Sequence, residues 1–169
     1  AAEKRGWSLE RRAVAVIGAG GAVGQALSVL LARDAGRLVL LGNPDHPEES
    51  HQRLLQVAGR IVCLVDRLGR DSAFAPSSVA GRVAELGFTP PPNPTRANLI
   101  RLGEELVSRT GSVLISVDSA ATLPDVDIVV CCTNTTERIV RENCLRENCV
   151  VCDVSRPSNV ADDVHRRPD

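Results

Sequence analysis

Seven residues near the start of the chain, Gly18-Ala19-Gly20-Gly21-Ala22-Val23-Gly24, have the types and spacing that let a backbone cradle phosphate. They stand where an apolar run, residues 13–17, gives way to a stretch with helical periodicity. At such a junction the glycines divide the work. Gly18 lets the chain turn sharply, Gly20 lets the backbone approach a pyrophosphate, and Gly24 lets the helix pack close on the sheet. The phosphates then rest on the free N–H groups that open the helix, around Gly21, Ala22 and Val23, and on its positive end. The spacing departs from G-x-G-x-x-G because Val23 stands where the last glycine is expected. It reads as G-x-G-G-x-x-G, or as G-x-x-G-x-x-G through Gly18, Gly21 and Gly24. No Lys-Ser/Thr pair follows, which excludes a Walker-type phosphate loop. A turn that binds nothing is the competing reading; the order strand, glycine turn, helix favours a dinucleotide cofactor.

Which dinucleotide is a question for the end of the second strand, where an acidic residue would hold the ribose hydroxyls of NAD. That strand ends Leu41-Gly42-Asn43. Asn43 hydrogen-bonds without charge and would not repel a 2′-phosphate, and His46 or Arg53 could partner one. Asp45 close by weakens the argument, so NADP(H) is preferred and NAD(H) stays open. For Arg53 itself, a solvated helix face is the more ordinary role. Thr133 and Asn134, at the exit of the fourth strand, fall where ligands bind in parallel sheets and would line the nicotinamide-ribose side. Helix capping by Asn134 or Thr135 competes equally. Ser155, leaving the fifth strand toward the same crevice, is the candidate near the nicotinamide.

No catalytic residue can be assigned. His46, His51 and His165 have no nucleophile beside them in the pattern. Tyrosine is absent and Lys4 is the single lysine, so a Tyr/Lys proton-donor pair cannot be built. Cys131 and Cys132 read as strand-end core thiols rather than nucleophiles. Cys144, Cys149 and Cys152 spell C-x4-C-x2-C, an iron–sulfur spacing that lacks its fourth cysteine. An odd separation on one strand puts Cys149 and Cys152 on opposite faces. Small buried apolar thiols, and no metal, are the expectation.

The elements that must position these residues follow from periodicity. Residues 1–12 read as a short helical lead-in. Continuous apolar runs at 13–17, 37–41, 112–117, 128–132 and 149–154 read as strands buried on both faces. Helical repeats cover residues 22–35 and a second stretch whose start Glu48 and Glu49 favour and which runs to about Leu68, with Leu54, Leu55, Ala58, Ile61, Val62 and Val65 inward. Residues 69–111 interrupt the alternation with helices at 77–86 and 95–109 around a rigid Pro90-Pro91-Pro92-Asn93-Pro94 linker. The segment 120–126 is too short for a long helix, and 136–143 is expected to form a helical turn. The result is an α/β fold, a doubly wound, mostly parallel Rossmann-type sheet with a helical insertion between strands 2 and 3. Methionine is absent and the chain stops at Arg166-Arg167-Pro168-Asp169. Residues 1–169 are accordingly read as one dinucleotide-binding domain cut from a longer polypeptide.

Composition removes other classes. The 169 residues carry a formal charge of −1, with 43% hydrophobic and 24% charged residues. Balanced charge without a basic cluster argues against a nucleic-acid partner. No apolar run approaches the roughly 20 residues of a membrane span. With no signal core and no disulfide framework, a cytoplasmic location is expected.

Three phrases carry a family resemblance: Leu9-Glu10-Arg11-Arg12 leading into Ala13 through Gly24, Asp125-Val126-Asp127-Ile128-Val129-Val130, and Val150-Val151-Cys152-Asp153-Val154-Ser155-Arg156-Pro157. Together they resemble the NADP-binding domain of the shikimate dehydrogenase and glutamyl-tRNA reductase superfamily, nearest to aldehyde-forming long-chain acyl-carrier-protein reductases and predicted amino-acid dehydrogenases. The resemblance covers residues 1–68 and 112–165 and leaves the insertion outside. It implies NADPH-linked hydride transfer to a carbonyl or acyl-thioester carbon, with the nicotinamide held between this domain and a separate substrate domain that supplies any nucleophilic cysteine. A homo-oligomer is compatible with it. The alternative is a nucleotide-sensing or regulatory module of the same fold that turns nothing over.

Overall fold

The computed structural model describes residue 6 and residues 8–69 and 74–165. Five parallel strands form one sheet in the order β3-β2-β1-β4-β5: β1 Ala13–Ile17, β2 Arg37–Leu41, β3 Val113–Ser116, β4 Ile128–Cys131 and β5 Val150–Asp153. From central β1 the chain winds outward through β2 to β3, then returns to the other side of β1 for β4 and β5. This is the doubly wound Rossmann-like arrangement. In register, Val14 lies between Leu38 and Ile128, and Ile17 between Leu41 and Cys131.

Strand alternation divides the core. One face presents Val14, Val16, Leu38, Leu40, Ile128 and Val130 to the helices; the other presents Ala15, Ile17, Val39, Leu41, Val129 and Cys131 to Leu123, Val126, Val140 and Val160. Helices α1 Ala22–Leu31, α2 Pro47–Leu68, α3 Val79–Leu86 and α4 Arg96–Thr110 pack against the first face. The two short ones are α5 Ser119–Thr122 and α6 Asp162–His165. All six inward residues read from α2 are buried. No described helix is long and apolar enough to cross a membrane.

The insertion between β2 and β3 is built into the core. Ser78 caps α3 and Thr95 caps α4 in a reciprocal box with Asn98; Gly87 and Gly111 end the two helices in left-handed conformations. Helices α2 and α4 cross backbone to backbone. A methyl group on Gly59 would overlap the carbonyl oxygen of Leu99, and one on Gly103 that of Leu55. The rising number on one helix meets the falling number on the other, so the crossing is antiparallel. α3 is tied to the end of α1 by Val79 N–H to Ala35 O (2.8 Å) and Ala80 N–H to Ala32 O (2.8 Å).

Four expectations are corrected. α1 stops at Leu31, where the Ala35 N–H closes the last turn on the Leu31 carbonyl and turns carry the chain down to β2. Residues 136–143 hold no helical turn before a 3-10 turn at Glu142–Cys144, because the backbone of Val140 instead bridges Val160. The lead-in is one 3-10 turn at Leu9–Arg11, with residues 1–5 and 7 outside the described residues. Finally, β3 and β5 are edge strands and not strands buried on both faces: Leu114, Ile115 and Ser116 are half-buried, as are Val150 and Val151, and Cys152 is exposed, each strand having a neighbour on one side alone among the described residues. Of the six thiols only Cys131 is buried.

Candidate functional site

The carboxyl ends of β1, β2 and β4 frame one crevice, at the point where the winding reverses between β1 and β4. Ligands of open α/β sheets bind at such a switch point. Its floor is the glycine turn. Gly18, at φ +79°, is in the left-handed region that favours glycine, and a methyl group there would stand 3.1 Å from the Cys132 carbonyl oxygen and 3.2 Å from the Thr133 Cβ. The β1 and β4 exits are thus pressed together, and Gly18 and Thr133 share one wall. Gly24 is buried directly on the carbonyl oxygen of Gly18, leaving no space for a side chain.

Gly21 is the N-cap of α1 and offers no side chain to it. The first turn of α1 carries no acidic residue either, whereas Ser78, Thr95 and Asp118 cap α3, α4 and α5 with side-chain oxygens. Ala22 and Val23 are exposed, Val23 at 60%. The amide end of α1 therefore faces outward with its partial positive charge uncompensated by any side chain of its own first turn. Gly20 is held by Gln25, whose Nε2 donates to the Gly20 carbonyl at 2.7 Å. A side chain on Gly20 would point at Arg53, 3.4 Å from its Cβ and 3.8 Å from its Cδ.

At the β2 exit, Asn43 is exposed and its loop is bound to α2. The Asn43 N–H donates to Ser50 Oγ (3.0 Å), and the Ser50 hydroxyl donates back to the Asn43 carbonyl (3.0 Å). The Asn43 Oδ1 accepts from the Asp45 N–H, leaving the amide NH2 to face solvent or ligand. His46 begins α2 as its N-cap and His51 is exposed on it.

The β4 and β5 exits form a second wall. Thr133 Oγ1 accepts from the Thr135 N–H (2.9 Å), and Asn134 is exposed beside it. Asn134 and Thr135 cap no helix, since none starts directly behind them. The buried Asn159 ties the two exits, its side-chain amide donating to the carbonyls of Thr135 (2.9 Å) and Glu137 (3.0 Å). Asp153 organises the β5 exit by accepting from the Ser158 hydroxyl (2.6 Å) and from the Ser155 and Asn159 N–H groups (both 2.9 Å). Burial alone would raise its pKa; these hydrogen bonds outweigh it and hold the carboxyl below its ordinary value. Ser155 is 5% exposed and lies two strands from the glycine turn, about 10 Å at the usual strand spacing. The structure therefore gathers Gly18, Thr133 and the α1 amides in one place, sets Asn43 on one flank and places Ser155 on the other.

The thiols nearby are not activated. Cys131 is pushed up to about 12, chiefly by burial and then by Asp153, Cys132 and Cys152. Cys132 is raised by burial, with Cys152 and Asp153 adding to it. Both shifts oppose the thiolate that nucleophilic chemistry needs. No cluster of metal-ligating side chains occurs among the described residues.

Sequence reasoning missed Ser50, Gln25, Asn159 and the organising role of Asp153. Only the last had a local signal, an Asp two residues before Ser155 and five before Ser158, the pattern of a side-chain-stabilised turn. The chain matches no protein-family model and no curated protein.

Proposed function

We propose that this chain binds NADP(H) as the cofactor domain of an oxidoreductase, moving hydride to or from a carbonyl or acyl-thioester substrate held by a separate domain of the same polypeptide. The observation that carries the reading is the uncapped, acid-free amide end of α1, set at the switch point of the sheet behind a glycine turn. A diphosphate supplies the negative charge that this end lacks. The flanking groups suit the rest of a dinucleotide: uncharged Asn43 on the ribose side, Thr133 and Asn134 beyond the turn, and Ser155 at the far end. The bound nicotinamide would supply the hydride chemistry, while this chain's residues bind and orient it. The superfamily resemblance points to the same activity, with the reacting side chains on the substrate domain.

A nucleotide-sensing module is the second reading, favoured by the unactivated thiols. A neighbouring domain bearing a Cys or a Lys/Asp pair would decide for catalysis. Titration with NADPH and NADH, followed by nicotinamide fluorescence and thermal shift, tests binding itself. Saturable binding with a raised Tm is expected; indifference to millimolar concentrations of both removes the proposal.

A further inference from the structure

We infer that Arg53 is a phosphate-binding residue of this crevice and that Glu49 is its built-in competitor. The inference rests on the dinucleotide reading above and adds to it the group that receives the phosphate charge. Helix α2 reaches the crevice at two contacts. A methyl group on Gly42 would lie 2.7 Å from Ser50 Cβ, and one on Gly20 would lie 3.4 Å from Arg53 Cβ and 3.8 Å from Arg53 Cδ. A side chain on Gly20 would meet the Arg53 stem at once, so α2 borders the glycine turn there, with the guanidinium one bond beyond Cδ. A lysine-poor chain thus carries a cation at the rim of a turn that otherwise offers only backbone dipoles.

The guanidinium is already engaged. Its Nη2 donates to Glu49 Oε1 at 2.6 Å, one helical turn earlier, and the two side chains are 57% and 56% exposed. An exposed pair of this spacing contributes little and yields readily. A phosphate presents paired oxygens that match the guanidinium fork, with more charge than one carboxylate. Arg53 therefore exchanges Glu49 for phosphate when the nucleotide arrives, and Glu49 lowers the affinity by holding Arg53 in the free protein. The other charged or titratable groups on this segment, Asp45, His46, Glu48 and His51, are all exposed. The phosphate can be the bridging diphosphate or a 2′-monoester on the ribose; the chemistry recognised is the same, and the ligands separate them.

The test is calorimetric titration of the full chain and its Arg53→Gln, Arg53→Lys, Glu49→Gln and Glu49→Gln/Arg53→Gln variants with NADPH and NADH, each variant checked for unchanged circular dichroism. Arg53→Gln is expected to weaken NADPH about tenfold or more, the size of one lost charge-assisted contact. Arg53→Lys should recover part of that loss. Glu49→Gln should tighten NADPH about two- to fivefold, as removal of a weak exposed competitor allows, and should do nothing once Arg53 is gone. A loss confined to NADPH assigns the 2′-phosphate; an equal loss for NADH assigns the diphosphate. If the parent chain binds both nucleotides and Arg53→Gln changes neither affinity, Arg53 is a solvated helix residue and the inference is overturned alone. If the parent chain binds neither, the inference and the cofactor proposal fall together.

Discussion

Gly24 rests on the carbonyl oxygen of Gly18, closing the turn between β1 and α1 on itself. The contact fixes both the height of α1 above the sheet and the direction in which its amide end points. Because the far side of that contact is backbone, neither partner can rotate away.

Gly24→Ala tests this directly. Alanine would gain about 1 kcal/mol of helix propensity, but its methyl group must displace Gly18 O and the Ala19 Cα, an overpacking that costs about 1–3 kcal/mol or more. A net loss of stability is expected, seen as a lower urea midpoint at unchanged m-value. A midpoint equal to or above that of the parent would refute the packing argument.

Gly20→Asp separates binding from folding. Gly20 has no left-handed φ, and its open side meets only the flexible stem of Arg53, so a side chain is accommodated. The carboxylate then lies at the amide end of α1 and pairs with Arg53, where it repels a diphosphate. Nucleotide affinity should fall by more than about tenfold with a Tm within a few degrees of the parent. Full affinity in the folded variant would contradict the placement of the phosphate site.

Asp153 makes the β5 exit sensitive to acid. Its carboxyl has a lower pKa in the folded chain than in the unfolded one, so its contribution is fully present above the unfolded value of about 4. It is lost as pH falls through the folded value. The stability gap between the parent and Asp153→Asn should be present at pH 7 and shrink at pH 3. Ser158→Ala, which removes the 2.6 Å hydrogen bond, should cost about 1 kcal/mol at pH 7. A gap that does not change with pH would show that the carboxylate is not what orders the loop.

The six thiols should react in order of access. Cys152, exposed on the edge strand, should be alkylated first by iodoacetamide at pH 8, and Cys131 only on unfolding. The folded chain keeps the Cys131 proton up to about pH 12. The unfolded chain releases it above about 8.5, so stability should decline as pH rises across that interval. Mass-spectrometric mapping that found Cys131 labelled as fast as Cys152 would contradict its burial.

Much of the fold was legible because its causes are local. The apolar runs of β1 and β2 and the inward stripe of α2 all depend on neighbours within a few residues. The glycine turn was legible for the same reason. Strands three and five were misjudged as buried because Val113-Leu114-Ile115 and Val150-Val151-Cys152 have the same local pattern whether or not anything covers them. Residues 136–143 were misjudged because the pairing of Val140 with Val160 lies twenty positions away.

What the sequence by itself determined was the five strands, the main helices and the glycine turn between β1 and α1, through backbone propensity, hydrophobic period and the steric freedom of glycine. Only the tertiary structure decided the strand order, the edge position of β5, the tie that Asn159 makes between the β4 and β5 exits, and the seat of Arg53 over Gly20. The physical reason is that side-chain burial and partnership are properties of contacts between distant segments. Periodicity records which face of an element is apolar and carries no trace of which neighbour will meet it.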